Sequence, residues 1–210
     1  MSTKIIIERH GQSFGNAKGI YLGHTDLGLT DEGIMQANVT AEHLKDEKID
    51  AVYSSDLIRA YQTALPHAKM RGLDVITSKN LREIFVGDWD GRPAADLRRD
   101  FAQDFNQNRF YYTFKYPNGE SFPEAAERFF NEILKIAGEN DGKTVLVVSH
   151  SAVIRAFWYK ISGYTEGNMA EKFDFMTNAS YSTMTYDGDK LVPGHYFYDS
   201  HVPPTDVKPI

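Results

Sequence analysis

The sequence predicts an α/β fold: a three-layer sandwich with a mostly parallel central sheet flanked by helices. Short β-branched runs alternate along the chain with segments of helical pattern, which is how strands joined by crossover helices read. The two most apolar runs, Ile5-Ile6-Ile7 and Val145 to Val148, are apolar at consecutive positions, as strands covered on both faces are. Each ends abruptly in polar residues, and in such sheets polar groups gather where strands end.

Taken in order, KIIIER (4–9) reads as the first strand. Thr30 to about Lys48 reads as a helix, with Thr30 as N-cap, acidic residues in the first turn and basic ones later. AVYSS (51–55) is the second strand, followed by a helix over 56–70 that starts at Asp56 and meets Pro66. LDVIT (73–77) is the third. From 81 to 91, LREIFVGDWDG, glycines and aspartates break any period and predict a loop. Residues 93–108 look helical, and 110–122 form an aromatic excursion containing the turn signal Pro117-Asn118-Gly119. A helix follows from Pro123 to Gly138, then the central strand KTVLVVSH (143–150) and the helix SAVIRAFWYKI. The run 181–198 predicts a hairpin turning at Asp187-Gly188, and 201–210 a Pro-rich tail.

At 210 residues the chain is expected to be one domain, 1–210, with an aromatic-rich insertion around 93–122. A hydrophobic content of 41% and a charged content of 25% exclude a disordered or fibrous chain. The net charge of −6 argues against a broad surface for nucleic acid or anionic lipid, though not against a small basic pocket. With no cysteine there is no disulfide and no thiolate metal site. The apolar run at the start is far too short for a signal peptide, and no segment approaches about 18 apolar residues, so the protein is expected in the cytoplasm without a membrane partner. Asn38-Val39-Thr40 and Asn178-Ala179-Ser180 match the glycosylation pattern and, with no secretory signal, read as chance.

Three strand ends carry the chemistry. The first delivers Arg9, His10 and Gly11; the second delivers Asp56 and, one turn later, Arg59; the central strand delivers His150 and Ser151. Parallel strands place all three tips on one carboxyl edge, where open α/β sheets bind ligands. Two guanidinium forks and the N-terminal dipoles of the following helices suit a phosphate-shaped anion. Gly11 allows a sharp turn and close approach to a ligand, or is an ordinary glycine at a strand end. Asn16 can offer its amide to the anion or satisfy the loop backbone.

The motifs Arg9-His10-Gly11-Gln12-Ser13 with Asn16, SSDLIRAYQTA (54–64), LREIFVGDWDG (81–91), PNGES (117–121) and VVSHSAVIR (147–155) resemble, in order, those of the histidine phosphatase superfamily, in its phosphoglycerate-mutase-like branch. The likeness runs from residue 4 to about 186. It implies the phosphoglycerate-mutase-like fold, with His10 as the nucleophile that becomes phosphorylated. It also implies a phosphate pocket of Arg9, Arg59 and His150, with Glu83 as proton donor and neither metal nor other cofactor. A salt bridge with Arg82 is the plain alternative for Glu83, and Asp88 and Asp90 are neighbouring carboxylates. Ser151 stands where many relatives carry glycine; it adds a hydroxyl near the phosphate or caps the next helix.

The implied activity is metal-independent hydrolysis of small phosphate monoesters through a phosphohistidine. The segment REIFVGDWDG has the character of the phosphatase members, whereas mutases look like they carry an ERHYG element. Mutase-type phosphoryl transfer and a noncatalytic phospho-ligand module are the alternatives. Metal-assisted hydrolysis ranks below them, because no HxH or HxxxH spacing ties His10 to His150 and two close arginines repel a cation. The aromatic residues from Phe101 to Phe122 fit three roles: a lid over the crevice, core packing, or half of a homodimer contact. Arg98, Arg99, Arg109 and Lys115 lie in or near that segment and could meet further anionic groups.

Overall fold

The computed structural model describes residues 1–203. Its elements, in chain order, are β1 (Thr3–Arg9), α1 (Phe14–Ala17), α2 (Asp31–His43), β2 (Ala51–Ser55), α3 (Ile58–Arg71), β3 (Val75–Ser78), α4 (Ala94–Asp100), α5 (Ala102–Asn106), α6 (Phe122–Glu139), β4 (Thr144–Ser149), α7 (Ser151–Ile161), β5 (Tyr181–Tyr186) and β6 (Leu191–Pro193). They build one six-stranded sheet of order β3-β2-β4-β1-β5-β6. The first four are mutually parallel, and β5 and β6 run antiparallel as the expected hairpin. The Pro-rich tail lies, from residue 204 on, outside the described residues.

Alternation along the strands divides the core. Ile5, Ile7, Val145 and Val147 pack with Phe129, Ile133 and Ile136 of α6 and with Val153 and Phe157 of α7. Ile6, Val52, Leu146 and Val148 face the other way, onto Leu44 beyond α2 and Ala60, Ala64 and Ala68 of α3. Each strand therefore buries both faces, which is why the runs read as continuously apolar. Glu8 looks like an error in this pattern, but its carboxylate meets the ring of His67 on α3 at 2.9 Å, both fully buried. Burial pushes the Glu8 carboxyl up and the imidazole opposes the shift.

Several boundaries differ from the expectation, and three show a cause. The second helix ends at His43 and not near Lys48: the N–H groups of Lys45 and Glu47 turn back to Glu42 O at 3.2 Å and Leu44 O at 3.1 Å, and the Leu44 carbonyl also accepts from Arg71 Nη2 at 2.5 Å. The third begins at Ile58 and not at Asp56. Asp56 is held by Arg82 through two bonds of 2.6 Å, while the carboxylate of Asp26 accepts the Ile58 N–H at 2.7 Å. Pro66 lies within this helix without ending it. The helix expected over 93–108 breaks at Phe101, whose ring lies 5.5 Å from that of Trp89 with the Arg92 guanidinium 5.5 Å from its centroid. No helix among the described residues is long and apolar enough to cross a membrane.

Removing one member of a buried acid–imidazole pair leaves the other without its partner. Glu8→Ala is therefore expected to lower stability by about 3 kcal/mol. Urea unfolding of the variant beside the unaltered protein measures it, and a loss below about 1 kcal/mol would show that the pair is not a structural bond.

Candidate active site

The parallel strand ends converge as expected. One cleft is lined by Arg9 and His10 from the end of β1, Arg59 from α3, Glu83 and Ile84 from the loop after β3, and Ser151, Ala152 and Arg155 from α7. Its volume is about 800 Å³ with the mouth included. His150 lies behind it, fully buried, with its ring centroid 5.1 Å from that of His10.

His10 is held by its backbone and its ring. Its N–H donates to Ser149 O at 2.9 Å, and its carbonyl accepts from Asn178 Nδ2 at 3.1 Å. Nδ1 lies 2.7 Å from the Gly11 carbonyl, an atom that can only accept, so the proton belongs on Nδ1. Nε2 then carries the free lone pair. Burial, followed by the charges of Arg59 and Arg9, drives the His10 pKa well below its ordinary value. The ring is neutral at neutral pH. His150 is depressed in the same way, first by burial and then by Arg59, and among the described residues neither of its ring nitrogens has a hydrogen-bond partner.

The two arginines are buried against carbonyls. Arg9 Nη1 donates to Met176 O, while Arg59 donates to Thr25 O at 2.9 Å and Gly23 O at 2.8 Å. Desolvation lowers each guanidinium to about 10, still charged at neutral pH. The loop that supplies these carbonyls is gripped from its other edge by Asp90, which accepts the N–H groups of Gly23, His24 and Thr25 at 2.7, 3.0 and 2.8 Å. Asp90 is thus a brace for Arg59, and Asp88 bonds Asn118.

Glu83 takes a place that the sequence does not announce. Its carboxylate accepts from Ile84 N at 2.9 Å, Val153 N at 2.8 Å and Ala152 N at 3.1 Å, so it closes the N-terminus of α7. The salt bridge with Arg82 is not formed, since Arg82 is taken by Asp56. Ser151 does not cap the helix: His150 occupies the N-cap position, and the buried Ser151 hydroxyl, on the cleft wall, has no partner among the described residues. Asn16 also lines the cleft. Its Oδ1 accepts from Ser13 N at 3.0 Å and Asn178 Nδ2 at 3.3 Å, which leaves its NH2 as the group it can offer.

At Gly11 a Cβ would lie 2.5 Å from the Gly33 carbonyl, so the turn after His10 is pressed against the start of α2. The aromatic segment is both core and cleft wall. Phe105, Tyr112, Tyr116 and Phe122 are buried in the Trp89 cluster, and Arg109, Phe110, Tyr116 and Phe122 face the cleft. Sequence reading missed Arg155, although one arginine in an otherwise apolar helix face was the available signal. Tyr21 and Phe175 also line the cleft and gave none, because they lie in aperiodic loops. Asn178, matched only to a glycosylation pattern, is buried and holds the His10 carbonyl.

The profile of the histidine phosphatase superfamily (branch 1) matches residues 5–197. Phosphoglycerate mutase-like protein 4 of Arabidopsis thaliana is 34% identical over 89% of this chain and 81% of its own. The metal-independent phosphoserine phosphatase of the same plant is 34% identical over 95% and 83%. Among solved structures, mycobacterial glucosyl-3-phosphoglycerate phosphatase in complex with VO3 superposes with a TM-score of 0.85 at 26% identity, covering 91% of this chain and 97% of that one.

Histidines held neutral in the fold but free to charge when unfolded make stability pH-dependent. With the folded pKa depressed, the stabilisation is present above about pH 6.5 and is lost as pH falls below it, by up to about 1.4 kcal/mol per pH unit for each such His. Chemical unfolding from pH 7.5 to 5 is expected to show that slope, and His150→Asn to reduce it; an unchanged slope in the variant would place the charge uptake elsewhere.

Proposed function

The chain belongs to the histidine phosphatase superfamily, and from that membership we propose that it is a metal-independent phosphatase acting on small phosphate monoesters through a phosphohistidine at His10. The observation that carries this reading is the state of the His10 ring. Nδ1 is spent on the Gly11 carbonyl and the ring is held neutral, so Nε2 is a nucleophile on the wall of a cleft that also presents two guanidiniums and a carboxyl group.

In the first half-reaction Nε2 attacks phosphorus in line, the N–P bond forms and the ester P–O bond breaks. The departing oxygen takes a proton from Glu83, so the alcohol leaves neutral. Arg9 and Arg59 meet the charge on the equatorial oxygens, with His150 behind them, and they do so with donors fixed before the substrate arrives. In the second half a water attacks the phosphohistidine, its proton passes to the Glu83 carboxylate, and inorganic phosphate and a neutral His10 are released. Held by three N–H groups, Glu83 keeps one position through both halves: it begins the cycle protonated, is a carboxylate once the alcohol has left, and regains its proton from the attacking water. The two guanidiniums supply positive charge at the place where other phosphoryl-transfer sites use cations. The relative named a metal-independent phosphoserine phosphatase supports that part of the reading.

Hydrolysis of para-nitrophenyl phosphate in the presence of EDTA tests the proposal. The unaltered protein is expected to turn over, and His10→Ala to lose about a thousandfold or more in kcat/KM. Activity surviving in His10→Ala, or phosphoglycerate isomerisation in place of hydrolysis, would replace this reading. The role of Glu83 is read from the leaving group. Glu83→Gln is expected to slow an alkyl phosphate by about a hundredfold and nitrophenyl phosphate much less, whereas equal slowing of both would assign Glu83 to positioning alone.

A further inference from the structure

Glu83 sits between β3 and α4, where residues 82–86 belong to no helix or strand. A proton donor has to be held within hydrogen-bond reach of the oxygen it serves. The main chain of such a loop is therefore fixed from outside it.

One side chain does most of this. Arg128, on α6, uses all five of its N–H groups. Nη1 donates to the carbonyls of Asn80 at 2.8 Å and Arg82 at 3.0 Å, and Nη2 donates to the carbonyl of Glu83 at 3.2 Å. Nε and Nη2 also donate to the two carboxylate oxygens of Glu120 at 2.9 and 2.8 Å. Glu120, in the PNGES stretch, holds the next part of the same loop: its Oε2 accepts the Phe85 N–H at 2.8 Å, and its own N–H donates to the Phe85 carbonyl at 2.8 Å. Neither Arg128 nor Glu120 lines the cleft.

A clamp of this kind serves stability in any loop. What ties it to the chemistry is the change of charge at Glu83. The side chain is held by the N–H groups of Ala152 and Val153, first-turn donors that have no acceptor within their own helix. A hydrogen bond to an ionised acceptor is roughly twice as strong as one to a neutral acceptor. The hold of α7 therefore weakens whenever Glu83 carries its proton. The contacts of Arg128 and His24 go to the backbone carbonyl, whose charge never changes, and keep their strength in both states.

We propose that Arg128, braced by Glu120, is a positioning residue for the proton transfers of Glu83. It fixes the main chain of residues 80–85, so that the protonated carboxyl stays within reach of the departing oxygen when α7 grips it least. The inference rests on the reading of Glu83 as the acid of a phosphatase. A displacement of about 1 Å in such a group is enough to cost about a hundredfold in rate.

The test uses kcat/KM, which reads the steps through departure of the alcohol. Arg128→Met is expected to lower it about thirtyfold for propyl phosphate and less than about threefold for nitrophenyl phosphate, whose leaving group needs no proton. Glu120→Gln, which keeps the shape and loses the charge, is expected to show the same pattern at smaller size. Any loss of folded protein lowers both rates equally and cancels in their ratio. In the Glu83→Gln protein, adding Arg128→Met is expected to change propyl phosphate hydrolysis by no more than about twofold, because no acid remains to be placed. Equal slowing of both esters by Arg128→Met, or an effect that persists at full size beside Glu83→Gln, overturns the inference.

A second readout needs no turnover. The amide hydrogens of Ala152 and Val153 are protected through the Glu83 side chain, whereas that of Ile154 is bonded to His150 O within the helix. In Arg128→Met, hydrogen exchange followed by NMR is expected to rise about tenfold or more at Ala152 and Val153 and to stay unchanged at Ile154. Unchanged exchange at the first two sites overturns the inference as well. If the unaltered protein turns over neither ester, or Glu83→Gln slows both equally, the acid reading fails. The exchange measurement then decides by itself whether Arg128 places Glu83.

Discussion

Two guanidiniums are buried at the end of a parallel sheet, and much of the surrounding structure follows from the need to keep them charged there. Neither Arg9 nor Arg59 is given a carboxylate in direct contact; their terminal N–H groups go to the carbonyls of Met176, Gly23 and Thr25. A carboxylate partner would stabilise each cation but also cancel the field that the pocket needs. Carbonyls take some of the donors while leaving the net charge in place, and the buried Nε of each arginine has no partner among the described residues. The demand then moves outward, because a loop that turns its carbonyls inward must find acceptors for its N–H groups, and Asp90 accepts three of them. An acidic residue that looks like a candidate for chemistry is in fact spent on holding a loop.

The same field fixes the histidines. Burial alone favours neutral imidazole, and the adjacent positive charges act in the same direction. Neutrality of the His10 ring is therefore secured twice. Glu83 is oriented by the α7 N-terminus on one side, and His24 Nε2 lies 3.0 Å from its backbone carbonyl on the other.

How much of this could be read in advance depends on whether the determinant was local. β1 and β4 were legible because burial on both faces leaves an uninterrupted apolar run, and the strand-end positions of Arg9, His10 and His150 followed from topology. Glu83 was identified only through resemblance to other sequences, since nothing in LREIF tells that its side chain will reach across to α7. The ends of α2 and α3 were misplaced because Arg71 and Asp26 settle them from outside their own segments. The break at Phe101 was invisible for the same reason: the residues around it are good helix formers, and what ends the helix is a ring drawn onto Trp89. Arg155 stands in plain view in VVSHSAVIR, but nothing in that stretch tells that its side chain lines the cleft beneath the ring of Phe175.

The contact between Gly11 and Gly33 carries a further consequence. Here the backbone just past His10 and the first turn of α2 touch with no side chain between them; a Cβ on Gly33 would lie 2.0 Å from the Gln12 carbonyl, and one on Gly11 2.5 Å from that of Gly33. Such a junction acts as a mechanical stop. Side-chain packing yields gradually when a core residue is trimmed, but van der Waals contact between two main chains has almost no give. The place of His10 at the strand end is thereby uncoupled from the volume of the two apolar layers, which can drift in composition and lose stability while the imidazole stays where it is.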